Sequence, residues 1–103
     1  MHPFIERHRA EIAALCRQHG VRNLEVFGSA ARKSDFDDVH SDVDFLVEFD
    51  SGARPPSLVT FFALRDALQT MLGRRVDLVT LSAVTNPYVR SDMERTRERV
   101  YAA

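Results

Sequence analysis

The sequence predicts an α/β (α+β) protein in which a small mixed β-sheet carries helices mainly on one face. Two segments, residues 3–20 and 58–73, place apolar side chains at the spacing of a helix. Three shorter segments, residues 21–27, 42–49 and 75–80, have the apolar content or the alternation of strands. Helices and strands thus follow one another along one short chain, and this mixture predicts the fold class.

Composition and charge are those of an ordinary globular protein and exclude several classes. The chain has 103 residues, 45% of them hydrophobic, and is expected to form a single domain, residues 1–103. Its 14 basic and 15 acidic residues give a formal net charge of -1, which does not favour nucleic acid as a partner. No segment has the apolar run of a signal peptide or of a membrane span, and the expected location is the cytoplasm.

The first helix is predicted to begin at Pro3, which suits a first helical turn, and to end at a C-terminal cap on Gly20. Its apolar stripe contains Cys16, the only cysteine, so no internal disulfide can form. On that stripe Cys16 is interpreted as a small buried hydrophobic residue rather than a catalytic thiol. His8 and His19 are assigned to the edge and the end of the helix, because no second metal ligand stands at helical spacing.

A candidate phosphate site follows the first strand, which is predicted over residues 21–27. The apolar run stops at Gly28-Ser29, where a helical turn over residues 29–33 is predicted to begin. The free N–H groups and the positive dipole end of such a turn suit an anion, and Arg32 stands one turn further on. Residues 34–40 are acidic and are interpreted as a solvated loop.

A candidate metal site lies on the second strand, predicted over residues 42–49, where acidic and apolar residues alternate. Asp42 and Asp44 are two positions apart, so they point to the same face with their α-carbons about 6.6 Å apart. Like charges on one face repel each other. A hard divalent cation such as Mg²⁺ reverses that penalty, because it takes carboxylate oxygens together with substrate phosphates.

The second half of the chain begins with a loop over residues 50–57, broken by glycine and proline, and continues with a helix that Ser57 is predicted to cap. This helix is predicted to begin at Leu58 and to be closed by Gly73. Its aromatic-rich stripe is interpreted as core, with a partner-binding groove as the alternative.

A third acid, Asp77, stands among apolar residues in the third strand, predicted over residues 75–80. A carboxylate in that position is costly unless it is paired, hydrogen-bonded or bound to metal. Arg75 lies two positions away on the same face and is one candidate partner. Metal binding together with Asp42 and Asp44 is the favoured interpretation.

Residues 82–103 are predicted to form a weakly amphipathic helix that packs loosely or contacts a partner. Tyr88 and Met93 are among its few apolar anchors. Its basic cluster is interpreted as a solvated helix face balanced by neighbouring acids, and consists of Arg90, Arg95, Arg97 and Arg99.

The candidate phosphate motif and the candidate metal motif, taken in chain order, resemble the G-S-x-A-R … D-x-D signature of the DNA polymerase β-like nucleotidyltransferases. They are Gly28-Ser29-Ala30-Ala31-Arg32 and Asp42-Val43-Asp44. The small size of the chain and residues 73–80 resemble the minimal nucleotidyltransferase (MNT) branch in particular. The likeness extends from the first helix through Thr80 and implies the polymerase β palm-like nucleotidyltransferase fold. Two positions depart from the branch: Ala30 stands where Arg is frequent, and Lys33 where Gly is usual.

The resemblance implies two-metal nucleotidyl transfer from ATP, with Mg²⁺ ions or, alternatively, Mn²⁺. It makes Asp42, Asp44 and Asp77 the catalytic metal ligands. It assigns nucleotide binding to the turn after the first strand, namely Gly28, Ser29, Arg32 and Lys33.

The resemblance also implies a role as the antitoxin of a HEPN/MNT toxin–antitoxin pair, moving AMP from ATP onto a tyrosine of a HEPN ribonuclease toxin. The chain has little beyond a catalytic core, so acceptor recognition must come from a second protein or from a self-associated copy. The main alternative is a non-catalytic antitoxin that occludes its partner and retains a vestigial nucleotide site. Transfer to a small hydroxylated molecule lacks an acceptor domain, and template-directed polymerisation lacks a nucleic-acid groove.

Overall fold

The computed structural model describes residues 2–28, 42–50 and 58–103, except the side chain of Ser82. In chain order their elements are α1 (Pro3–Arg7), α2 (Arg9–Gln18), β1 (Val21–Phe27), β2 (Val43–Phe49), α3 (Leu58–Leu72), β3 (Val76–Val79), a 3₁₀ turn (Leu81–Ala83), α4 (Pro87–Thr96) and β4 (Glu98–Ala102). The strands form one sheet in the order β3-β2-β1-β4. Strand β1 is antiparallel to β2 and β4, whereas β2 and β3 are parallel, so the sheet is mixed and the predicted fold class is confirmed.

The two central strands occur where the sequence predicts them, β1 from its apolar run and β2 from its alternation. Strand β1 has the predicted bounds, and β2 begins one residue later than predicted. Strand β2 lies between two neighbours and is covered on both faces, so Phe45 and Leu46 are both buried although they point in opposite directions. Its alternating pattern therefore separates a helix-covered face from a face that carries Asp44.

Helices α1, α2 and α3 cover one face of the sheet. Their buried side chains share a core with the sheet residues Leu24, Val26, Val43, Phe45, Val47, Val76, Leu78 and Val100. A smaller cluster on the other face joins Met93 of α4 to Phe27, Leu46 and Val84. Three of the described helices thus lie on one face, and only α4 contributes to the other.

The single first helix predicted over residues 3–20 is wrong, because the chain forms α1 and α2 with a break at His8. His8 has φ -101° and ψ 6°, which interrupts the helical backbone. Its ring stays close to α1, because Nδ1–H donates to the Phe4 carbonyl at 2.8 Å. A side-chain bond of this kind competes with the helical ladder. The apolar stripe itself is retained, and Ile12 and Cys16 are fully buried.

The helix predicted for residues 82–103 forms only in part, because the end of that segment is a strand. Helix α4 ends at Thr96, and Arg97 adopts extended backbone angles that lead into β4. Strand β4 pairs with the edge of β1 that β2 leaves open, and it buries Val100 in the main core. Pairing with β4 satisfies the backbone N–H and C=O groups along this edge of β1. A helix at the same place would leave them unpaired, because its own backbone groups already bond within the helix. Tyr88, predicted as an apolar anchor, is instead 85% exposed.

Helix α3 begins and ends where the sequence predicts, and Leu64, Leu68 and Leu72 form its buried stripe. Leu58 and Val59 are 74% and 79% exposed, so the apolar face is wider than the core it covers. The partner-binding alternative for this face remains a prediction. The predicted loop at residues 34–40 lies outside the described residues, as does all but Asp50 of the loop predicted at residues 50–57, including the Ser57 cap. Within the described part of the chain, no helix combines the length and apolar content needed to cross a membrane.

Candidate active site

The acids of β2 and β3 meet at one position of the sheet. The parallel register places Asp44 directly beside Asp77, and the antiparallel register places Phe27, the last residue of β1, on the other side of Asp44. Directly paired residues on adjacent strands point to the same face. The predicted convergence of Asp44 with Asp77 is therefore present in the described structure, on the face that α1 to α3 do not cover.

Asp44 carries the strongest electrostatic perturbation of this site. Burial, the negative charge of Asp77 and a hydrogen bond to Asp77 together raise the pKa of its carboxyl to about 7. The charges of Asp42 and Asp92 act in the same direction. Near neutral pH the Asp44–Asp77 pair thus favours holding a proton, and a bound cation would favour releasing it.

Asp42 lies at the start of β2 and is less enclosed than Asp44. Its Oδ2 is 3.9 Å from Nη1 of Arg75, and both side chains are well exposed, so this ion pair contributes little stability. The predicted candidate partner of Asp77 thus pairs with Asp42 instead. Asp77 itself has Asp44 as a hydrogen-bonding neighbour.

Gly28 is required at the end of β1 by the position of Asp44. Its φ of +70° lies in the left-handed region, and a Cβ added there would stand 2.7 Å from Asp44 Oδ2. Any other residue would therefore be strained and would push the Asp44 carboxyl away. The sequence suggests a different reason, close approach of the backbone to phosphate, and that role of Gly28 remains a prediction.

Helix α4 supplies a wall of the site that the sequence analysis missed. A cleft of about 550 Å³ is lined by Phe27, Gly28, Asp44, Asp77, Leu78, Val79, Tyr88, Val89 and Asp92. The interpretation of Asp92 as part of a solvated face is therefore incomplete, because its side chain also borders the cleft. This wall could have been predicted from the sequence by helical spacing. The residues that share this face of α4 are Val89, Asp92, Met93 and Thr96.

Ser29, Arg32 and Lys33 lie outside the described residues, as does Ala30. Their predicted contacts with nucleotide phosphates remain predictions. Gly28, Asp42, Asp44 and Asp77 are described and lie at the same end of adjoining strands.

The donor set at this position is chemically suited to a hard divalent cation. Across residues 2–28, 42–50 and 58–103, no three His, Cys, Asp or Glu side chains are arranged to hold an ion by themselves. Magnesium commonly takes only one or two carboxylates, with water and substrate phosphates completing its shell. The neighbouring Asp44 and Asp77 carboxyls fit that requirement, and their mutual repulsion would be relieved by a cation.

Adjoining carboxylates that can hold divalent cations are found in enzymes that transfer phosphoryl or nucleotidyl groups. The chain belongs to the nucleotidyltransferase domain family, whose model matches residues 10–100. The predicted enzyme class is confirmed by this match.

Two relatives place the chain in the minimal nucleotidyltransferase branch. A Thermococcus cleftensis protein named protein adenylyltransferase MntA is 40% identical over 87 residues, which is 84% of this chain and 80% of that protein. A solved structure of a protein assigned as a minimal nucleotidyltransferase is 33% identical and covers 90% of this chain and 89% of its own, with a TM-score of 0.70. The predicted family membership is therefore confirmed.

A more distant solved structure has the same fold. It is the complex of a tri-AMPylated Shewanella oneidensis HEPN toxin with an MNT antitoxin. One chain of that complex aligns with 96% of this chain and 73% of its own, at 18% identity and a TM-score of 0.65.

Proposed function

We propose that this chain is a protein adenylyltransferase antitoxin that moves AMP from ATP onto a tyrosine hydroxyl of a HEPN ribonuclease toxin. The observation that carries the proposal is the direct pairing of Asp44 with Asp77 in a cleft beside Gly28. The name of the Thermococcus relative supports protein adenylylation, and the Shewanella complex joins an AMPylated HEPN toxin to an MNT antitoxin. This chain would act in the cytoplasm as a single domain, residues 1–103.

In the proposed reaction, the tyrosine hydroxyl loses its proton to solvent and its oxygen bonds to the α-phosphorus of ATP. The bond from that phosphorus to the bridging oxygen breaks, and pyrophosphate leaves. Asp42, Asp44 and Asp77 would hold two Mg²⁺ or Mn²⁺ ions, which when bound stabilise charge on the phosphates and lower the pKa of the attacking hydroxyl. Ser29, Arg32 and Lys33 would bind the phosphates. Gly28 leaves space for the Asp44 carboxyl, which keeps the Asp44 and Asp77 oxygens on one side of the cleft.

The deciding experiment supplies labelled ATP and Mg²⁺ to the purified chain, with and without its HEPN partner. Wild type should label the partner, whereas Asp44→Asn and Asp77→Asn should lower the rate by about 10²–10³-fold, the range for losing one electrostatic stabiliser of a transition state. Asp66→Asn is the matched control, because Asp66 is an exposed acid on α3 that pairs with Arg65. It should transfer at the wild-type rate.

Two outcomes would refute the proposal. Full transfer by Asp44→Asn would exclude the assigned carboxylate mechanism. The alternative, an antitoxin that only occludes its partner, predicts a tight complex that blocks the ribonuclease without any label on the toxin. In that case Asp44→Asn would neutralise the partner as well as wild type does.

A further inference from the structure

Thr96, the last residue of α4, connects this helix to the end of β1 through its hydroxyl group. Its Oγ1 is 2.9 Å from the carbonyl oxygen of Asp92 and 3.0 Å from the backbone nitrogen of Gly28. A carbonyl can only accept and an amide N–H can only donate. The single hydroxyl proton therefore goes to Asp92, and a lone pair of Oγ1 accepts from Gly28.

The bond from Thr96 to the Asp92 carbonyl is by itself ordinary, because threonines in helices frequently bond to the carbonyl four residues earlier. The bond from Gly28 is different, since it joins residues that are 68 positions apart in the chain. Gly28 is buried, so its N–H needs this acceptor in order to be satisfied. Thr96 therefore holds Gly28 at the position where its α-carbon faces Asp44 Oδ2.

The backbone around Thr96 is itself held from two sides. Met93, three residues earlier, is fully buried against the cleft-side cluster. Arg97, the next residue, makes a 2.6 Å ion pair with Glu25 of β1. Thr96 is thus placed between two fixed neighbours, and its hydroxyl has little freedom to leave Gly28.

We propose that Thr96 is a positioning residue for nucleotide binding, acting through the Gly28 amide. This inference depends on the proposed function, because the residues predicted to bind phosphate, Ser29 to Lys33, follow Gly28 directly in the chain. Fixing Gly28 keeps its backbone beside the Asp44 carboxyl in the lining of the cleft. Substrate phosphates bound beside Gly28 would then lie next to the carboxylates of β2 and β3.

The test is a comparison of Thr96→Val with Thr96→Ser. Valine keeps the shape of threonine but removes the acceptor for Gly28, whereas serine retains the hydroxyl. Binding of AMP-PNP in the presence of Mg²⁺ is measured by calorimetry, and ATP-dependent labelling of the HEPN partner supplies KM and kcat. Thr96→Val should weaken AMP-PNP binding and raise the KM for ATP by up to about tenfold, the limit reached when the full cost of the lost hydrogen bond falls on the nucleotide-bound state. Thr96→Ser should restore both values to within about twofold of wild type.

A control variant separates positioning from general destabilisation. Ile12→Val removes one buried methyl group from α2, on the opposite face of the sheet from the cleft, and lowers the melting temperature. It should leave AMP-PNP binding unchanged. Wild-type affinity in Thr96→Val, or equal weakening in Ile12→Val, would overturn the assignment of Thr96 while leaving the proposed function intact. A wild-type chain that neither binds AMP-PNP nor labels its partner would refute both.

Discussion

Replacing Arg97 with methionine removes the guanidinium from a buried carboxylate on β1. Glu25 is only 7% exposed, and Arg97 binds it through two bonds, Nε to Oε2 at 2.6 Å and Nη2 to Oε1 at 3.1 Å. Losing one partner of a fully buried pair costs about 3–5 kcal/mol, because the other charge is left without compensation. Arg97 is partly exposed and Asn23 still donates to Glu25, so we expect a loss of about 2 kcal/mol in the free energy of unfolding.

The free energy of unfolding that Arg97→Met loses should depend on pH. Burial raises the pKa of Glu25, but hydrogen bonds from Arg97 and Asn23 lower it by more, so the folded pKa lies below its usual value. Such a group stabilises the fold above its unfolded pKa of about 4.3, and this stability disappears as the pH falls through the folded value. Without Arg97, the hydrogen bond that lowers the pKa of Glu25 most is lost, so the folded pKa should rise. The difference between wild type and Arg97→Met should therefore be largest near neutral pH and should shrink in acid.

Urea unfolding followed by far-ultraviolet circular dichroism, repeated at several pH values, measures this difference. Arg22→Met is the matched control, because Arg22 pairs with Glu48 at 3.6 Å between two well-exposed side chains. That variant should lose less than about 0.5 kcal/mol at every pH. A deficit in Arg97→Met that equals the control, or that stays constant from neutral to acid pH, would refute the assigned role of the Glu25–Arg97 pair.

Three further substitutions or reactions test other parts of the fold. Gly28→Ala places a Cβ in the left-handed region and against Asp44 Oδ2, so melting experiments should show a loss of at least about 1 kcal/mol, accompanied by reduced ATP transfer. Burial raises the pKa of Cys16 to about 12, so thiol reagents should modify the native protein near neutral pH far more slowly than the urea-unfolded chain; equal rates would contradict the burial. Val100→Asp puts a carboxylate into the main core and should lower the unfolding free energy by about 3 kcal/mol, whereas Arg99→Asp, on the exposed neighbouring position, should cost less than half as much.

The periodicity of the sequence was sufficient to predict elements that form and cover the centre of the sheet. Strand β2 and helix α3 follow directly from local patterns, because a strand alternates every two residues and a helix repeats every 3.6. The same rule places Asp42 and Asp44 on one face of β2. Their association with Asp77 of β3 is predicted from the cost of an acid within an apolar strand and from the family likeness, and the parallel register supports it for Asp44 and Asp77.

Tertiary structure decided the features that join distant parts of the chain. The bond between Gly28 and Thr96 spans 68 residues, and the ion pair between Glu25 and Arg97 spans 72. No local pattern encodes such contacts, since they depend on how β4 fills the open edge of β1. The sequence by itself therefore determined the acids and their strands. Packing decided that α4 lines the cleft beside them, because burial of Met93 and pairing of β4 hold this helix at the site.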